Sequence, residues 1–265
     1  MELASILYAI ILGAVQGVTE FLPVSSSAHL IIVSWFYSGK TLPLSLNVAL
    51  HIGTLVAVLI YFKKDWLAII RSVFVFVQKK EKNFENQVLL PGLILGTIPA
   101  GVIGLLWKDQ IESIFHNPGF VVYPLAIVGV LLWYIDAKVG VSRSLRSLSL
   151  KDAILVGVAQ ACALIPGTSR SGATILGARL LGFDRESAAR FSFLLGTPAM
   201  LGAAILEAGD IAKSLDDPVF YIGFISAVLV GIASIHFLIE FVKRFGLAAF
   251  AIYRVILALV LFFIV

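Results

Sequence analysis

Charge is what this 265-residue chain has least of. Lys, Arg, Asp and Glu make up 14% of it, against about 25% in an ordinary soluble domain. A surface that is charged all round is therefore excluded. There is one cysteine, Cys162, which excludes an intramolecular disulfide and any multi-cysteine metal site. The N-terminus has neither a basic n-region nor a small-residue cleavage site, so no cleaved signal peptide is expected and the first apolar segment should belong to the mature protein. What the chain has in place of charge is 60% hydrophobic residues and a mean hydropathy of +1.01. Its net charge of +4 is dispersed over short connections between apolar runs. That is the pattern of membrane orientation, not of nucleic-acid binding.

Runs approaching the roughly 20 apolar residues that span a bilayer occur near 43–62, 88–107, 119–136, 186–207, 218–242 and 247–264. Two further regions, 4–38 and 152–182, are apolar but broken, the first at Pro23 and its serine run and the second at Pro166-Gly167. About ten apolar residues follow the first break, roughly 15 Å of helix and half a bilayer. Each region is therefore expected to be a re-entrant helix pair, which is tolerated when buried in protein or facing a wet cavity. Lys63, Lys64, Arg71, Lys79, Lys80 and Lys82 follow the first span. Lys138, Arg143, Arg146 and Lys151 follow the third. Arg179, Arg185 and Arg190 follow the second break, and Lys243 and Arg244 follow the fifth span. These segments should be cytoplasmic. The opposite connections hold Lys40, Lys108 and Lys213 beside Asp109, Glu112, Asp210, Asp216 and Asp217. Six spans plus two re-entrant pairs satisfy this alternation with both termini outside. Two full hairpins would keep the same parity, so only the short second arms favour re-entry.

The halves resemble each other. Pro23 and Pro166 are 143 residues apart, as are Gly53-Thr54 and Gly196-Thr197, and Tyr123 and Tyr253 are 130 apart. The expected fold is an all-α polytopic membrane protein, a single integral membrane domain over 1–265. Its repeats would cover about 1–136 and 150–265, each a re-entrant pair (about 4–38 and 152–182) plus three transmembrane helices. Three is odd, so the second repeat is inverted, as in folds whose broken helices meet near the midplane.

Two polar islands mark the breaks: 16–29, holding Gln16, Glu20, Ser25, Ser26, Ser27 and His29, and 166–174, holding Thr168, Ser169 and Arg170. Ionisable groups inside a membrane are costly and mark function by default. A serine cap and free backbone N–H groups at a short helix suit a phosphate. Arg170 can bind phosphate bidentately, and Glu20, His29 and the hydroxyls supply a nucleophile, acid and base. Gln16 and Glu20, four apart, share one helix face. The plainer readings are serines bonded back to the backbone, a structural Glu20–Arg170 ion pair and a packed neutral His29. His51, His116 and His236 lack such neighbours and are assigned no role. Cys162 is expected in the core, and Thr97-Ile98-Pro99 and Thr197-Pro198 at helix kinks.

The chain resembles the bacterial undecaprenyl pyrophosphate phosphatases of the bacitracin-resistance type. The resemblance rests on Gln16-x-x-x-Glu20, on Phe21-Leu-Pro-Val-Ser-Ser-Ser-Ala-His29 and on Pro166-Gly-Thr-Ser-Arg-Ser-Gly172, and it runs over nearly the whole chain to Phe250-Ala-Ile-Tyr-Arg254. It implies hydrolysis of undecaprenyl diphosphate to undecaprenyl phosphate and inorganic phosphate. That reaction recycles the lipid carrier of peptidoglycan synthesis and confers bacitracin resistance. It implies Ser26 as nucleophile, Glu20 and His29 as catalytic residues, and Arg170 as the phosphate-binding arginine. Ser25, Ser27, Thr168, Ser169 and Gln16 are expected to line the substrate. It also implies inverted repeats with re-entrant helices in the bacterial inner membrane and a site open to the external, periplasmic face. Divalent cations, Mg or Ca, support activity in the family. Many members have Glu where this chain has Gln16, so a two-carboxylate metal site in the first motif is unavailable and a tightly bound metal is not expected to be essential.

The expected mechanism is in-line attack by Ser26 on the terminal phosphorus, with His29 taking its proton, directly or through water, and Glu20 orienting His29 or binding a cation. Direct hydrolysis by an activated water, with Ser26 only a phosphate ligand, is the rival within this class. The expected partners are a polyprenyl diphosphate lipid substrate and membrane lipid, with no nucleic acid; a homodimer is compatible with the sequence. A transporter or flippase of a polyprenyl phosphate is the competing class, because inverted repeats with broken helices describe many carriers. A purely structural membrane protein is disfavoured by the clustered ionisable groups.

Overall fold

The computed structural model describes residues 3–38, 44–77, 84–107, 118–140 and 143–264. Lys40, Lys79, Lys80, Lys82, Lys108, Asp109, Glu112 and His116 lie outside the described residues. Twelve α-helices are described. In the first half they are α1 (Leu3–Thr19), α2 (Ser26–Ser38), α3 (Leu44–Tyr61), α4 (Lys63–Val77), α5 (Phe84–Leu106) and α6 (Val122–Lys138). In the second they are α7 (Leu150–Cys162), α8 (Arg170–Leu180), α9 (Arg185–Leu206), α10 (Ala208–Ser214), α11 (Pro218–Phe245) and α12 (Ala248–Ile264). No strand is present among the described residues. The chain is an all-α, multi-pass membrane protein.

Four helical segments are long and apolar enough to cross a membrane: Val88–Leu106, Gly119–Lys138, Arg185–Leu206 and Pro218–Phe245. These are four of the six expected spans. The expected span at 43–62 is α3, which bends by 72° at Phe62 into α4. The sequence reads as a basic connection from Lys63 onward; the structure continues it as a helix with Asp65 in its first turn. The last expected span is α12, an apolar helix of 17 residues, about 25 Å at 1.5 Å per residue. Large apolar side chains face outward, among them Phe263, Leu206 and Leu3 at 84%, 73% and 70% exposure. Gln16, Ser25, Thr54, Ser171, Thr174 and Ser192 are fully buried. An outside this apolar with hydroxyls and amides inside suits a hydrocarbon solvent, where polar groups must find partners within the protein.

Small residues let the helices touch. α1 and α3 pack along α11, and α5 packs along α7. A Cβ on Gly13 would stand 2.7 Å from the Gly223 carbonyl, and one on Gly157 would stand 2.1 Å from the Gly96 carbonyl. Gly13 and Gly157 are 144 residues apart, so the same position of the first helix in each broken pair meets a later helix of the other half. Backbone-to-backbone approach of this kind is the usual basis of helix association in lipid. Thr97 and Thr197 bond back to the carbonyls of Leu93 and Phe193 at 2.7 and 3.0 Å, a local helical use and not a ligand one. Cys162 departs from expectation: its thiol is exposed on α7 and not in the core.

The basic residues that set orientation are partly drawn into ion pairs. Arg179 is 1% exposed and lies 3.3 Å from Asp136, which Arg185 also meets at 2.8 Å. Arg190 pairs with Asp65 across α9 and α4. Asp136 additionally accepts the Leu247 N–H at 2.9 Å, so one carboxylate joins α6, α8, α9 and the start of α12.

The two breaks are built alike. Ser25 and Ser169 are the two non-glycine residues with positive φ among those described, at 77° and 72°. In each break this serine shares a 3.2 Å hydroxyl contact with the serine two residues on, Ser27 or Ser171. Positive φ costs a non-glycine residue on the order of 1–3 kcal/mol, so the surroundings must hold it. They do so by crossing from one break to the other. Ser171 donates to the Leu22 carbonyl at 3.1 Å, and the Gly167 N–H points to the Ser27 hydroxyl at 3.5 Å. Arg254 of α12, fully buried, donates to five backbone carbonyls: Pro23 (3.1 Å), Gly167 (2.9 Å), Thr168 (3.0 Å), Leu125 (3.1 Å) and Pro124 (3.4 Å).

Arg254→Lys should destabilise the protein by about 3 kcal/mol, since a point donor cannot span carbonyls from three segments and each charged hydrogen bond is worth about 1.5–3 kcal/mol. Gly157→Ala should cost about 1–3 kcal/mol through overpacking. Gly101→Ala, with open space at its Cβ, should be neutral or mildly stabilising. Thermal unfolding of detergent-purified variants checks all three; equal midpoints for the two glycine variants would contradict the contact at Gly157.

Candidate active site

The islands meet at one carboxylate. Glu20 lies just past the end of α1, 8% exposed, and each of its oxygens has a partner from a different segment. Oε1 accepts from Arg170 Nη2 at 2.8 Å. Oε2 accepts from the Ser26 hydroxyl at 2.8 Å and from Gln16 Nε2 at 3.2 Å. Gln16 reaches it because residues four apart share a helix face. Ser26 reaches it because the chain reverses through Ser25 before α2 begins. Arg170 reaches it because it opens α8 as Ser26 opens α2. The expected ion pair between Glu20 and Arg170 is thus present, and it links residues 150 apart in sequence.

Arg170 is seated by glycine. A Cβ on Gly196 would fall 1.6 Å from Nη1, so the guanidinium lies where any larger residue of α9 would stand. It also contacts the Ser192 carbonyl and the Met200 sulfur, both at 3.5 Å. Its side chain is 14% exposed. Guanidinium carries five N–H groups, and among the described residues one short bond, to Glu20, is made; donors remain for an anion.

His29 lies in the first turn of α2 as expected, and both of its ring nitrogens have partners. It lies three residues after Ser26 on the same face of α2. Its Nδ1 is 2.7 Å from the Ser25 carbonyl, and its Nε2 is 2.6 Å from the Tyr253 hydroxyl. The His29 and Tyr253 rings are parallel within 9° at 5.6 Å. The expectation is that Glu20 orients His29 or binds a cation while His29 takes the Ser26 proton directly or through water; the hydrogen bonds of this structure run otherwise. Ser26 is bonded to Glu20 itself, and His29 is turned to Tyr253. The i, i+3 spacing of Ser26 and His29 does not show this, because the competing partners, Glu20 and Tyr253, arrive from other segments.

The remaining expected residues divide. Ser25 is fully buried and supplies the carbonyl that holds His29. Ser27 is exposed beside the second break. Ser169 caps α8 by accepting the Gly172 N–H at 3.1 Å. Thr168 is buried and contributes its carbonyl to Arg254. Ser169 and Thr168 therefore shape the cradle in this state. Gln16 has its Oε1 buried without a partner among the described residues. Its counterpart Gln160, 144 residues on, is 2% exposed with both side-chain polar atoms in the same condition.

Sequence reasoning assigned no site role to Tyr253 or Arg254. The available signals were the recurrence of a tyrosine in the last helix of each half and an ionisable residue deep in an apolar run. A cavity of about 330 Å³ lined by Asp65, Arg146, Glu186 and Arg190 among others shares no residue with the Glu20 cluster. Among the described residues no three His, Cys, Asp or Glu side chains gather as metal ligands. Glu20 is the one carboxylate of the cluster, and both of its oxygens already have donors. That donor set does not make a cation cage.

Comparison with known proteins shows the family of the chain. The family described as Bacitracin resistance protein BacA matches residues 9–260. An undecaprenyl-diphosphatase from Thermodesulfovibrio yellowstonii is 46% identical over 259 residues, covering 96% of this chain and 95% of that protein. Proteins of the same name from Thermomicrobium roseum and Pelotomaculum thermopropionicum are 41% and 38% identical; the alignments cover 97% and 96% of this chain and 97% and 95% of those proteins. The chain belongs to the bacitracin resistance protein BacA family.

Proposed function

We infer that this protein is an undecaprenyl-diphosphatase, releasing inorganic phosphate from undecaprenyl diphosphate and returning undecaprenyl phosphate as lipid carrier. The same activity would withdraw the diphosphate that bacitracin recognises. The observation that carries the mechanism is the convergence of Ser26 and Arg170 on the two oxygens of Glu20. A hydroxyl 2.8 Å from a carboxylate is within the range over which a general base removes a proton. A guanidinium alongside is a preorganised partner for a phosphoryl group. Phosphoryl transfer asks chiefly for positioning and charge stabilisation, and this cluster supplies both.

In the attack half of the reaction, Arg170 binds the terminal phosphate with N–H groups that Glu20 leaves free. The Ser26 hydroxyl attacks phosphorus, and Glu20 takes its proton. The roles of Ser26 and Glu20 follow from their mutual distance and from the resemblance of their motifs. Ser27 and the backbone at the start of α2 and α8 line the phosphate. No step is assigned to a metal; a divalent cation would have to be held largely by the diphosphate itself.

The apolar helices and basic segments support a placement of the chain. The reading is of two inverted repeats, each with a re-entrant pair, in the bacterial inner membrane. The basic ends of α4, α6 and α11 are cytoplasmic and the site opens to the external face. The matched breaks at Ser25 and Ser169, and the matched contacts at Gly13 and Gly157, support that reading. They also suit a carrier for a polyprenyl phosphate, so the decisive assay uses purified protein in detergent, where no sidedness exists. Release of phosphate from undecaprenyl diphosphate supports the enzyme. Binding of the monophosphate with no release from the diphosphate supports the carrier.

Ser26→Ala should lower phosphate release about 1,000-fold or more, as expected for loss of a nucleophile. Wild type quenched in acid with terminally labelled substrate should retain label that Ser26→Ala does not. Substantial activity in Ser26→Ala, with no label on wild type, would move attack to water. Arg170→Lys should lose about 100-fold or more in kcat/KM, because a point charge does not replace the planar fork; near-normal turnover would remove Arg170 from the phosphate.

A further inference from the structure

Proton exchange at His29 is restricted on both sides of the ring. The Ser25 carbonyl lies 2.7 Å from Nδ1, and a carbonyl only accepts, so Nδ1 carries hydrogen in the neutral and the charged ring alike. Any proton that His29 gives or takes therefore passes through Nε2. That nitrogen is 2.6 Å from the Tyr253 hydroxyl. Tyr253 is 44% exposed, whereas Glu20 and Gln16 are buried. Ser26 already has its base in Glu20. A second acid–base group on the same face of α2, engaged by a different residue, has a different proton to handle.

We propose that Tyr253 is a positioning residue that aims the His29 Nε2–H at the bridging oxygen of the bound diphosphate, making the His29–Tyr253 couple the acid half of the site. The inference rests on the reading of the protein as a lipid diphosphate phosphatase. In the first step the Ser26 oxygen–phosphorus bond forms and the bond from phosphorus to the bridging oxygen breaks. The Ser26 proton goes to Glu20, and the departing lipid phosphate takes the proton of His29 Nε2. In the second step water attacks the phosphoserine, the bond from the Ser26 oxygen to phosphorus breaks, and inorganic phosphate leaves. The proton of the water goes to His29 Nε2, and the Ser26 oxygen recovers its proton from Glu20. Both steps balance and restore a glutamate and a charged histidine.

The geometry explains why a tyrosine serves here. With a neutral ring, the Tyr253 O–H donates to Nε2. With a charged ring, Nε2–H donates to the same oxygen or to substrate. The hydroxyl can thus hold the ring in either state without competing for the proton. Its parallel packing against the imidazole fixes the plane in which that proton points. Tyr253 and Arg254 of α12 are the titratable and charged side chains that act on the ring from a packed element. Ser25 and Ser26 flank it from its own segment, and Glu20 is held by Arg170.

The test is a double-mutant cycle on the purified full chain with undecaprenyl diphosphate, following phosphate release across about pH 5 to 9. Tyr253→Phe should lower kcat about tenfold with KM changed less than twofold, and should displace the alkaline limb of the profile. His29→Gln should abolish that limb. Tyr253→Phe added to His29→Gln should have no further effect, because Tyr253 acts through His29. Independent, multiplying losses in the double variant, or a Tyr253→Phe profile that matches wild type, would overturn the proposal. Histidine ¹⁵N resonances, with His29 assigned through His29→Gln, read the geometry without turnover. At alkaline pH, where the ring is neutral, protonation at Nδ1 with an Nε2 signal moved by Tyr253→Phe is expected; a neutral ring protonated at Nε2 would overturn it. A wild-type chain that releases no phosphate would count against the phosphatase reading alone, since the nitrogen signals still decide the couple.

Discussion

A helix interrupted inside hydrocarbon strands backbone carbonyls that water cannot reach. In this protein two helices are interrupted, at 20–25 and 163–169, and a single guanidinium answers for both. Arg254 joins the carbonyls of Pro23, Gly167 and Thr168 to those of Leu125 and Pro124 at the start of α6. A buried charge is costly when alone, but here its N–H groups meet carbonyls of both breaks and of α6. The cost of the arginine and the cost of the breaks offset each other. The reversal at Ser25, the placement of Ser26 and the arrival of Arg170 at Glu20 all depend on the two breaks lying against one another.

The resulting cluster separates its tasks by depth. Glu20 and Gln16 are buried, Arg170 lies in the space that Gly196 leaves, and the half-exposed Tyr253 packs on His29. One carboxylate holds the Ser26 hydroxyl and the Arg170 guanidinium in register before any substrate arrives. That preorganisation is what electrostatic catalysis requires, because the groups need not reorganise as charge develops. Glycine takes part in the same economy of space: where Gly157 meets Gly96 and Gly13 meets Gly223, the helices come close enough for the second break to reach the first.

Much of this was legible in the sequence, for identifiable reasons. The spans at 88–107, 119–136, 186–207 and 218–242 are continuous apolar stretches, and hydropathy reports them directly. The bend at Phe62 is invisible to hydropathy, because the apolar residues after Lys63 continue the pattern while the helix axis turns. The islands were legible because proline, hydroxyls and charge interrupt an apolar run, and the recurrence of the interruption hinted at a repeat. Cys162 was read as core because cysteine is usually buried; in a membrane protein the outer face is also apolar, so the usual rule loses its force.

The sequence by itself determined that the chain spans a membrane, where its helices break, and which residue types gather at the breaks, since these depend on composition and short-range spacing. Only the tertiary structure decided who meets whom. Glu20 serves Ser26 instead of His29, and Tyr253, 224 residues away from His29, takes the imidazole. Spacing along one helix shows which residues can share a face, but a hydrogen bond also needs a partner. Here the partners come from the other half of the chain, brought in by helix contacts and by the carbonyls that Arg254 holds.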